Sequence, residues 1–186
     1  MNTYTYKVVL IGDAGVGKTS IRSVFAGKKF RKTYLMTIGV EIALKTFEVK
    51  DPSTRESFGE VSFLIWDLGG QLKFTRVRES YYTGSSGALL VYDITDRKSF
   101  ENLNYWVEEL LESRGRIPLV IVGNKIDLRR KVEDYIKVED AIPRIRSLER
   151  IYGRPIRFIE TSAKENINIY NAFNILAIDI LNEEEV

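Results

Sequence analysis

The chain has 186 residues, of which 44% are hydrophobic and 29% are charged, and its formal net charge is +2. This length and composition predict a single folded domain over residues 1–186, and the net charge is too small to argue for nucleic-acid or membrane binding by bulk electrostatics. Because the chain contains no cysteine and no histidine, disulfides, thiolate or imidazole metal sites, cysteine nucleophiles and serine–histidine triads are excluded.

Neither a secretion signal nor a membrane span is visible in the sequence. Residues 1–7 lack the charged start and apolar core of a signal peptide. No apolar run approaches the roughly 18–20 residues that cross a bilayer. We therefore expect a cytoplasmic protein.

Short apolar runs alternate with helical patterns along the chain. They predict strands at residues 4–11, 61–66, 88–92, 119–122 and 156–159, and helices near residues 18–27, 97–113, 138–152 and 167–182. This alternation is typical of a mostly parallel sheet with helices on both faces. Residues 40–49, the turn residues 51–55 and the strand that follows predict an antiparallel hairpin. Pro143 fits its helix only in the first turn, so that helix is expected to begin near residues 138–140.

A glycine-rich segment follows the first predicted strand. Residues 12–19, GDAGVGKT, match the pattern G-x-x-x-x-G-K-[ST] and open a helix. In such a loop the backbone N–H groups turn inward around phosphate oxygens, and the helix directs its positive end at the same anion. Lys18 is expected to reach the β- and γ-phosphates and Thr19 to bind Mg²⁺. The candidate phosphate-binding residues are Asp13, Ala14, Gly15, Val16, Gly17, Lys18, Thr19 and Ser20.

A second group of candidates for the phosphate end lies in the loop after the first helix and in the segment that follows the strand at residues 61–66. Asp67 follows that strand, where ligand groups gather in parallel sheets, and is a candidate Mg²⁺ ligand. Gly70 can offer its N–H to a γ-phosphate, and Gln71 can orient an attacking water. Thr37 is a candidate second hydroxyl ligand that binds the metal only while a γ-phosphate keeps its loop closed.

Two segments near the carboxyl ends of later strands predict base recognition. Asn124, Lys125 and Asp127 follow the strand at residues 119–122, and a carboxylate there can accept two hydrogen bonds from the N1 and N2 edge of guanine. Adenine lacks this donor pair, so the carboxylate would stay unpaired and discrimination would be large. Residues 161–164, TSAK, follow the last strand, and a backbone N–H there can bind the guanine O6.

These segments together resemble the five motifs of the Ras superfamily of small GTPases and cover residues 7–182. Residues 38–41, 81–84, 90–95 and 160–164 are most similar to the Rab branch. The resemblance implies an α/β P-loop GTPase domain, with a six-stranded, mostly parallel sheet, one antiparallel edge hairpin and about five helices on its two faces. It also implies a guanine-nucleotide switch in Rab-like trafficking or signalling, which binds GTP and GDP with Mg²⁺ and hydrolyses GTP slowly.

The resemblance also assigns roles and partners. Phe30 should stack on guanine, Tyr34 should cover the phosphates, and Lys125 should pack along the base. Gln71 and Lys18 are the implied catalytic residues. The implied base-binding residues of the last motif are Ser162, Ala163 and Lys164. Effectors, an exchange factor and an activating protein would bind surfaces at residues 31–42 and 68–82, and the protein is expected to be a monomer.

Several residues depart from the Rab pattern. Residues 68–70, LGG, resemble the Arf branch, and Ile42 replaces a phenylalanine of the Rab effector-binding aromatic trio, of which Trp66 and Tyr81 match the others. Ala14 borders the space that an incoming arginine finger would need. The C-terminal residues 182–186 contain no cysteine for prenylation, so membrane association would need a partner or a tail absent from this chain. These features fit a bacterial or archaeal relative.

Three alternatives remain open at this stage. An ATP-using P-loop enzyme is disfavoured by Asn124, Lys125 and Asp127, and a module that holds nucleotide without hydrolysing it is disfavoured by Gln71. A scaffold with a vestigial site is disfavoured because no site position is lost.

Overall fold

The structure, a computed structural model, describes residues 4–30, 37, 39–71 and 75–184. Its strands are β1 (Tyr4–Ile11), β2 (Val40–Lys50), β3 (Ser57–Leu68), β4 (Gly87–Asp93), β5 (Leu119–Asn124) and β6 (Arg157–Glu160). Its helices are α1 (Lys18–Phe25), α2 (Thr75–Tyr82), α3 (Arg97–Glu101), α4 (Leu103–Arg114), α5 (Val138–Tyr152) and α6 (Ile169–Glu184). None of the helices within these ranges is long and apolar enough to cross a membrane.

The strands form one sheet in the order β2-β3-β1-β4-β5-β6. Only β2 and β3 pair antiparallel within it, and the other neighbours are parallel, so the predicted fold class is confirmed. Strands β4 and β5 are buried along their whole length, as expected for strands covered on both faces. One face carries α1 and α6, and the opposite face carries the helices from α2 to α5.

Two helical details differ from the sequence predictions. The segment predicted as one helix at residues 97–113 is divided at Asn102, and Asp96 caps the first part by accepting a hydrogen bond from the Lys98 N–H at 3.1 Å. Helix α5 begins at Val138, so the predicted start is confirmed, but this start places Pro143 in the second turn rather than in the first. One main-chain hydrogen bond of α5 is therefore missing.

The hairpin of β2 and β3 is fastened to α6 at the end distant from the glycine-rich loop. The Asn174 side chain donates to the Lys50 carbonyl at 2.7 Å and accepts from the Lys50 N–H at 2.9 Å. The Tyr170 hydroxyl donates to the Glu48 carbonyl at 2.5 Å. At the turn, the Asp51 carboxylate accepts hydrogen bonds from the main-chain N–H groups of Ser53 and Thr54. Such side-chain capping is the reason why aspartate is typical of turns.

The carboxyl ends of the parallel strands place the functional loops together. The loops that follow β1, β3, β5 and β6 all emerge at one edge of the sheet. Because β1 lies between β3 and β4, the glycine-rich loop occupies the centre of this edge. The predicted motifs therefore converge there although they lie far apart in sequence.

Candidate functional site

A cleft of about 500 Å³ opens at this edge of the sheet. Its wall contains most of the residues predicted for nucleotide binding: Ala14, Gly15, Gly17, Lys18, Thr19, Ser20, Phe30, Thr37, Gly70, Asn124, Lys125, Asp127, Ala163 and Lys164. Five other predicted residues lie beside the cleft without lining it, namely Asp13, Val16, Asp67, Gln71 and Ser162. Tyr34 lies outside the described residues.

The glycine-rich loop curls tightly around the start of α1. Gly17 has φ +103°, and a Cβ there would lie 2.3 Å from the Asn124 side-chain nitrogen, so only glycine fits. The Lys18 ammonium folds over the loop and donates to the carbonyls of Gly12 and Asp13 at 2.7 Å. Burial lowers the pKa of Lys18 to about 8, against the attraction of Asp67 and Asp13. A buried cation and a helix N-terminus therefore meet in the cleft, an arrangement suited to phosphate.

The Asp13 carboxylate turns away from the cleft. Its two oxygens accept from the Asn102 side-chain amide and the Trp106 indole N–H, both at 2.7 Å. Asp13 can therefore offer only its main chain to a ligand, and its side chain supports the loop from α4. The sequence pattern marked this residue as a phosphate-binding candidate but gave no sign of the helix that holds it.

Three oxygen ligands converge beside Lys18. The Thr19 hydroxyl donates to Asp67 Oδ2 at 2.5 Å and lies 3.0 Å from the Thr37 hydroxyl. Asp67 is fully buried, and its Oδ1 has no hydrogen-bond partner among the described residues. Burial raises the pKa of Asp67, while the Thr19 hydrogen bond, Lys18 and Arg22 oppose this effect. Two hydroxyls and a carboxylate with a vacant oxygen are hard ligands of the kind that Mg²⁺ prefers.

Within the described ranges, no three side chains of the types His, Cys, Asp and Glu group together as a metal site. A cation at the cleft would thus depend on the hydroxyls of Thr19 and Thr37 as well as on Asp67.

Gly70 packs directly on the glycine-rich loop. A Cβ there would lie 2.4 Å from the Ala14 nitrogen and 2.5 Å from the Gly12 carbonyl oxygen. Any side chain at this position would separate the two segments. The second glycine of the sequence Gly69-Gly70-Gln71 is therefore required by close approach, and its main chain borders the cleft.

A buried ion pair holds the segment that follows Gly70. Arg78 donates to both Glu109 oxygens, at 2.8 and 2.7 Å, and to the main-chain carbonyl of Gln71 at 2.5 Å. The Tyr82 hydroxyl also donates to Glu109, at 2.7 Å. Although burial alone would raise the pKa of Glu109, the hydrogen bonds from Arg78, Tyr82 and Tyr105 hold it below its ordinary value. No motif in the sequence marks this pair, whose members are 31 residues apart along the chain.

Asn124 joins three loops at the other end of the cleft. Its side-chain nitrogen donates to the Val16 carbonyl at 2.9 Å. Its side-chain oxygen accepts from the Thr161 hydroxyl at 3.0 Å and from the Ala163 N–H at 3.3 Å. The glycine-rich loop, the β5 loop and the β6 loop are therefore fixed relative to one another before any ligand binds.

The two charged residues after Asn124 are also held in place. Lys125 adopts a left-handed backbone with φ +70°, and its ammonium contacts the Gly15 carbonyl at 2.7 Å and the Asp93 carboxylate at 2.6 Å. Asp127 accepts from the Ser162 hydroxyl at 2.7 Å, and Lys164 lies 3.8 Å from its second oxygen. Because Asp127 lines the cleft, its remaining acceptor positions are available to a ligand.

Arg22 and Glu41 also line the cleft, although the sequence motifs did not mark them. The Arg22 guanidinium forms an ion pair with Glu41 and lies 3.7 Å from Asp67 Oδ2. The available signal was the spacing, since residues four apart share one helix face and Arg22 follows Lys18 by four residues.

The comparisons with known proteins agree with this geometry. A sequence model described as the Ras family matches residues 7–182. Ras-related protein Rab-13 of Canis lupus familiaris is 39% identical over 179 residues, which cover 96% of this chain and 81% of that relative. Ras-related protein Rab-8A of Bos taurus is 39% identical over 178 residues, which cover 95% of this chain and 79% of that relative. The chain therefore belongs to the Ras family, and it is a small GTPase near the Rab branch that binds and hydrolyses GTP.

Proposed function

We propose that this chain is a guanine-nucleotide switch of Rab-like trafficking or signalling, with its nucleotide in the cleft and Mg²⁺ at the phosphate end. The observation that carries the proposal is the convergence of every described motif on one cleft, from the glycine-rich loop to Asn124, Asp127 and Ala163. Residues 1–186 are proposed to act as one monomeric domain in the cytoplasm.

Guanine recognition is assigned to Asp127. Its contacts with Ser162 and Lys164 hold the carboxylate at the cleft wall, where it can accept from the N1 and N2 groups of guanine. Phe30 lines the same wall and offers its ring for stacking, and the Lys125 stem can pack along the base. An ATP-using enzyme would leave the Asp127 carboxylate unpaired, which disfavours that alternative.

Mg²⁺ would be held by Thr19 and Asp67, and by Thr37 in the triphosphate state. The vacant Asp67 Oδ1 and the convergence of the two hydroxyls fit a small, hard cation. When bound, the ion neutralises charge on the β- and γ-phosphate oxygens. Thr37 would then report the presence of the γ-phosphate, because its hydroxyl lies 3.0 Å from that of Thr19, within reach of the same cation.

Hydrolysis is proposed to proceed by in-line attack of water on the γ-phosphorus. Gln71 orients the water, whose oxygen forms the new P–O bond as the bond to the β-phosphate oxygen breaks. The Lys18 ammonium stabilises the charge that develops on the bridging and γ-phosphate oxygens, and the proton of the water leaves with inorganic phosphate. Because no arginine of the chain occupies a position where the family supplies one in cis, unassisted turnover should take on the order of tens of minutes per GTP or longer.

Partner binding is assigned to surfaces at residues 31–42 and 68–82, of which residues 31–36, 38 and 72–74 lie outside the described residues. In the described part, Ile42 is 48% exposed and lies opposite Trp66 in the β2–β3 ladder. The Trp66 and Tyr81 rings pack at 5.9 Å between centroids. This apolar surface supports binding of effectors, and exchange and activating proteins would act at the same two segments.

The test is single-turnover hydrolysis of GTP with Mg²⁺ by the wild type and by Gln71→Leu. We expect the variant to release phosphate about tenfold or more slowly, because it cannot orient the water. Asn171→Leu, an exposed amide on α6 outside the cleft, is the matched control and should match the wild type. Equal rates for Gln71→Leu and the wild type would contradict the role of Gln71. If the wild type itself released no phosphate, a module that holds nucleotide without hydrolysing it would be favoured.

A further inference from the structure

Two carboxylates and one guanidinium lie together at the phosphate end. Glu41 and Asp67 are direct cross-strand neighbours in the β2–β3 ladder, an arrangement that is unfavourable for like charges. Arg22 of α1 forms ion pairs with both of them. Asp67 is one of the proposed Mg²⁺ ligands, so the charges of Arg22 and Glu41 act directly on the metal position.

Arg22 is shared unequally between the two carboxylates. Its Nη2 is hydrogen-bonded to Glu41, whereas its Nε lies 3.7 Å from Asp67 Oδ2 and has no hydrogen-bond partner within the described residues. The Arg22 side chain is only 9% exposed, so solvent screens its charge weakly, while that of Glu41 is 51% exposed. The attraction between Arg22 and Asp67 is therefore Coulombic, and it leaves Asp67 Oδ1 vacant.

We propose that Arg22 and Glu41 set the affinity of the site for Mg²⁺, with Arg22 weakening metal binding and Glu41 strengthening it. The inference rests on the metal position assigned under the proposed function. The three side chains carry a net charge of −1, from two carboxylates and one guanidinium. Removing Arg22 leaves −2 beside the metal, whereas neutralising Glu41 leaves zero and frees the guanidinium to pair more closely with Asp67.

This pair also links the metal to the start of β2. Glu41 is the second residue of β2, which follows the segment that carries Thr37. A cation bound at Asp67 offsets the attraction between Asp67 and Arg22. Arg22 then pairs with Glu41 alone. By linkage, whatever displaces Glu41 from Arg22 must also change the affinity for Mg²⁺.

The experiment measures the dissociation rate of a fluorescent GDP over a range of free Mg²⁺ concentrations, which yields the metal affinity without any hydrolysis. A unit charge a few ångströms from a divalent cation changes affinity about tenfold even at the dielectric constant of water. We therefore expect Arg22→Leu to bind Mg²⁺ about tenfold more tightly and Glu41→Gln about threefold more weakly, the smaller effect reflecting exposure. Arg22→Lys, which keeps the charge, should stay within about twofold of the wild type.

The matched controls are Arg157→Leu and Asp179→Asn, which break a surface ion pair of 3.3 Å outside the cleft. Both should leave the metal affinity unchanged. A purely structural role of the Arg22 cluster would weaken binding in both test variants, so the opposite signs are decisive. Weaker or unchanged Mg²⁺ binding in Arg22→Leu overturns the proposal. Unchanged or tighter Mg²⁺ binding in Glu41→Gln also overturns it, so the second variant tests the proposal even if Arg22→Leu fails to fold. If GDP release from the wild type does not depend on Mg²⁺, the metal position itself is wrong and the inference falls with it.

Discussion

The two ends of the cleft, the proposed base end around Asn124 and Asp127 and the proposed phosphate end around Lys18 and Thr19, are built differently. At the base end, Asn124, Asp127, Thr161 and Ser162 all engage in side-chain hydrogen bonds to protein groups. At the phosphate end, Asp67 Oδ1 and Arg22 Nε are buried without hydrogen-bond partners within the described residues. The base end is therefore preorganised by the fold, whereas the phosphate end is completed only by its ligand. This difference suits a switch, because GTP and GDP share the same base and differ in their phosphates.

The largest expected effect comes from a substitution at the base end that replaces one carboxylate oxygen by an amide NH₂ group. Asp127→Asn should lower GTP affinity by about 10³–10⁴-fold, because a site built to pair with two donors then presents a donor to a donor. Xanthosine triphosphate, which has an acceptor at the corresponding position, should gain affinity. Calorimetric titration of the wild type and of the variant with each nucleotide measures both. Asp179→Asn on α6 is the control, and unchanged GTP affinity in Asp127→Asn would contradict the assigned contact.

A second substitution tests whether preorganisation of the base end matters in itself. Asn124→Ala removes the partner of the Val16 carbonyl, the Thr161 hydroxyl and the Ala163 N–H. Leaving buried polar groups unpaired costs about 1–3 kcal/mol each, so nucleotide affinity should fall about hundredfold. Unlike Asp127→Asn, this variant should weaken guanosine and xanthosine nucleotides equally. A change of base preference in Asn124→Ala, measured by the same calorimetric titrations, would assign Asn124 a direct contact with the base.

A smaller effect should separate the two nucleotide states at the phosphate end. Thr37→Ala should weaken binding of a GTP analogue about tenfold in the presence of Mg²⁺ and leave GDP within about twofold, because the hydroxyl is needed only with the γ-phosphate. Calorimetry with both nucleotides measures the difference. Thr46→Ala, whose hydroxyl contacts Ser62 outside the cleft, is the control. Equal losses for both nucleotides would show that Thr37 does not sense the γ-phosphate.

The smallest expected effect is on pH dependence and concerns Glu109, which supports the phosphate end through Arg78. Its pKa is held below the ordinary value in the folded protein, so the unfolded chain binds the proton more readily. The contribution of ionised Glu109 to the stability of the folded protein is complete above about pH 5, and it is lost as the pH falls through the pKa that Glu109 has in the folded protein. A carboxyl NMR titration should place Glu109 below ordinary glutamates. A titration at or above the ordinary glutamate value would contradict the ion-pair geometry.

Local sequence patterns carried most of the fold and of the site. Residues 12–19 and the segment from Asn124 to Asp127 are contiguous, and their chemistry depends on spacing within a few residues, so they are visible without a structure. The apolar runs predicted the strands of the sheet. The resemblance to the Ras family and the Rab branch is confirmed. Helix α2 was absent from the segments predicted by periodicity, since its sequence, TRVRESYY, has few apolar positions.

The contacts that sequence could not predict join charges distant along the chain. Arg22 and Glu41 are 19 residues apart, and Arg78 and Glu109 are 31 residues apart. Charged residues are ordinarily solvated, and although Arg22 shares a helix face with Lys18, no local pattern identifies the distant partner of either arginine. Only the sheet register, which sets Glu41 opposite Asp67, and the packing of α2 on α4 bring them together. The support of Asp13 by Trp106 is hidden for the same reason.

The fastening of Lys50 by Asn174 has a mechanical consequence. Both main-chain groups of Lys50 are held, so β2 cannot slide along β3 without breaking two hydrogen bonds and turning its apolar side chains to the wrong face. The same register sets Glu41 opposite Asp67, so the two hydrogen bonds from α6 also preserve the position of Glu41 beside Arg22 at the cleft.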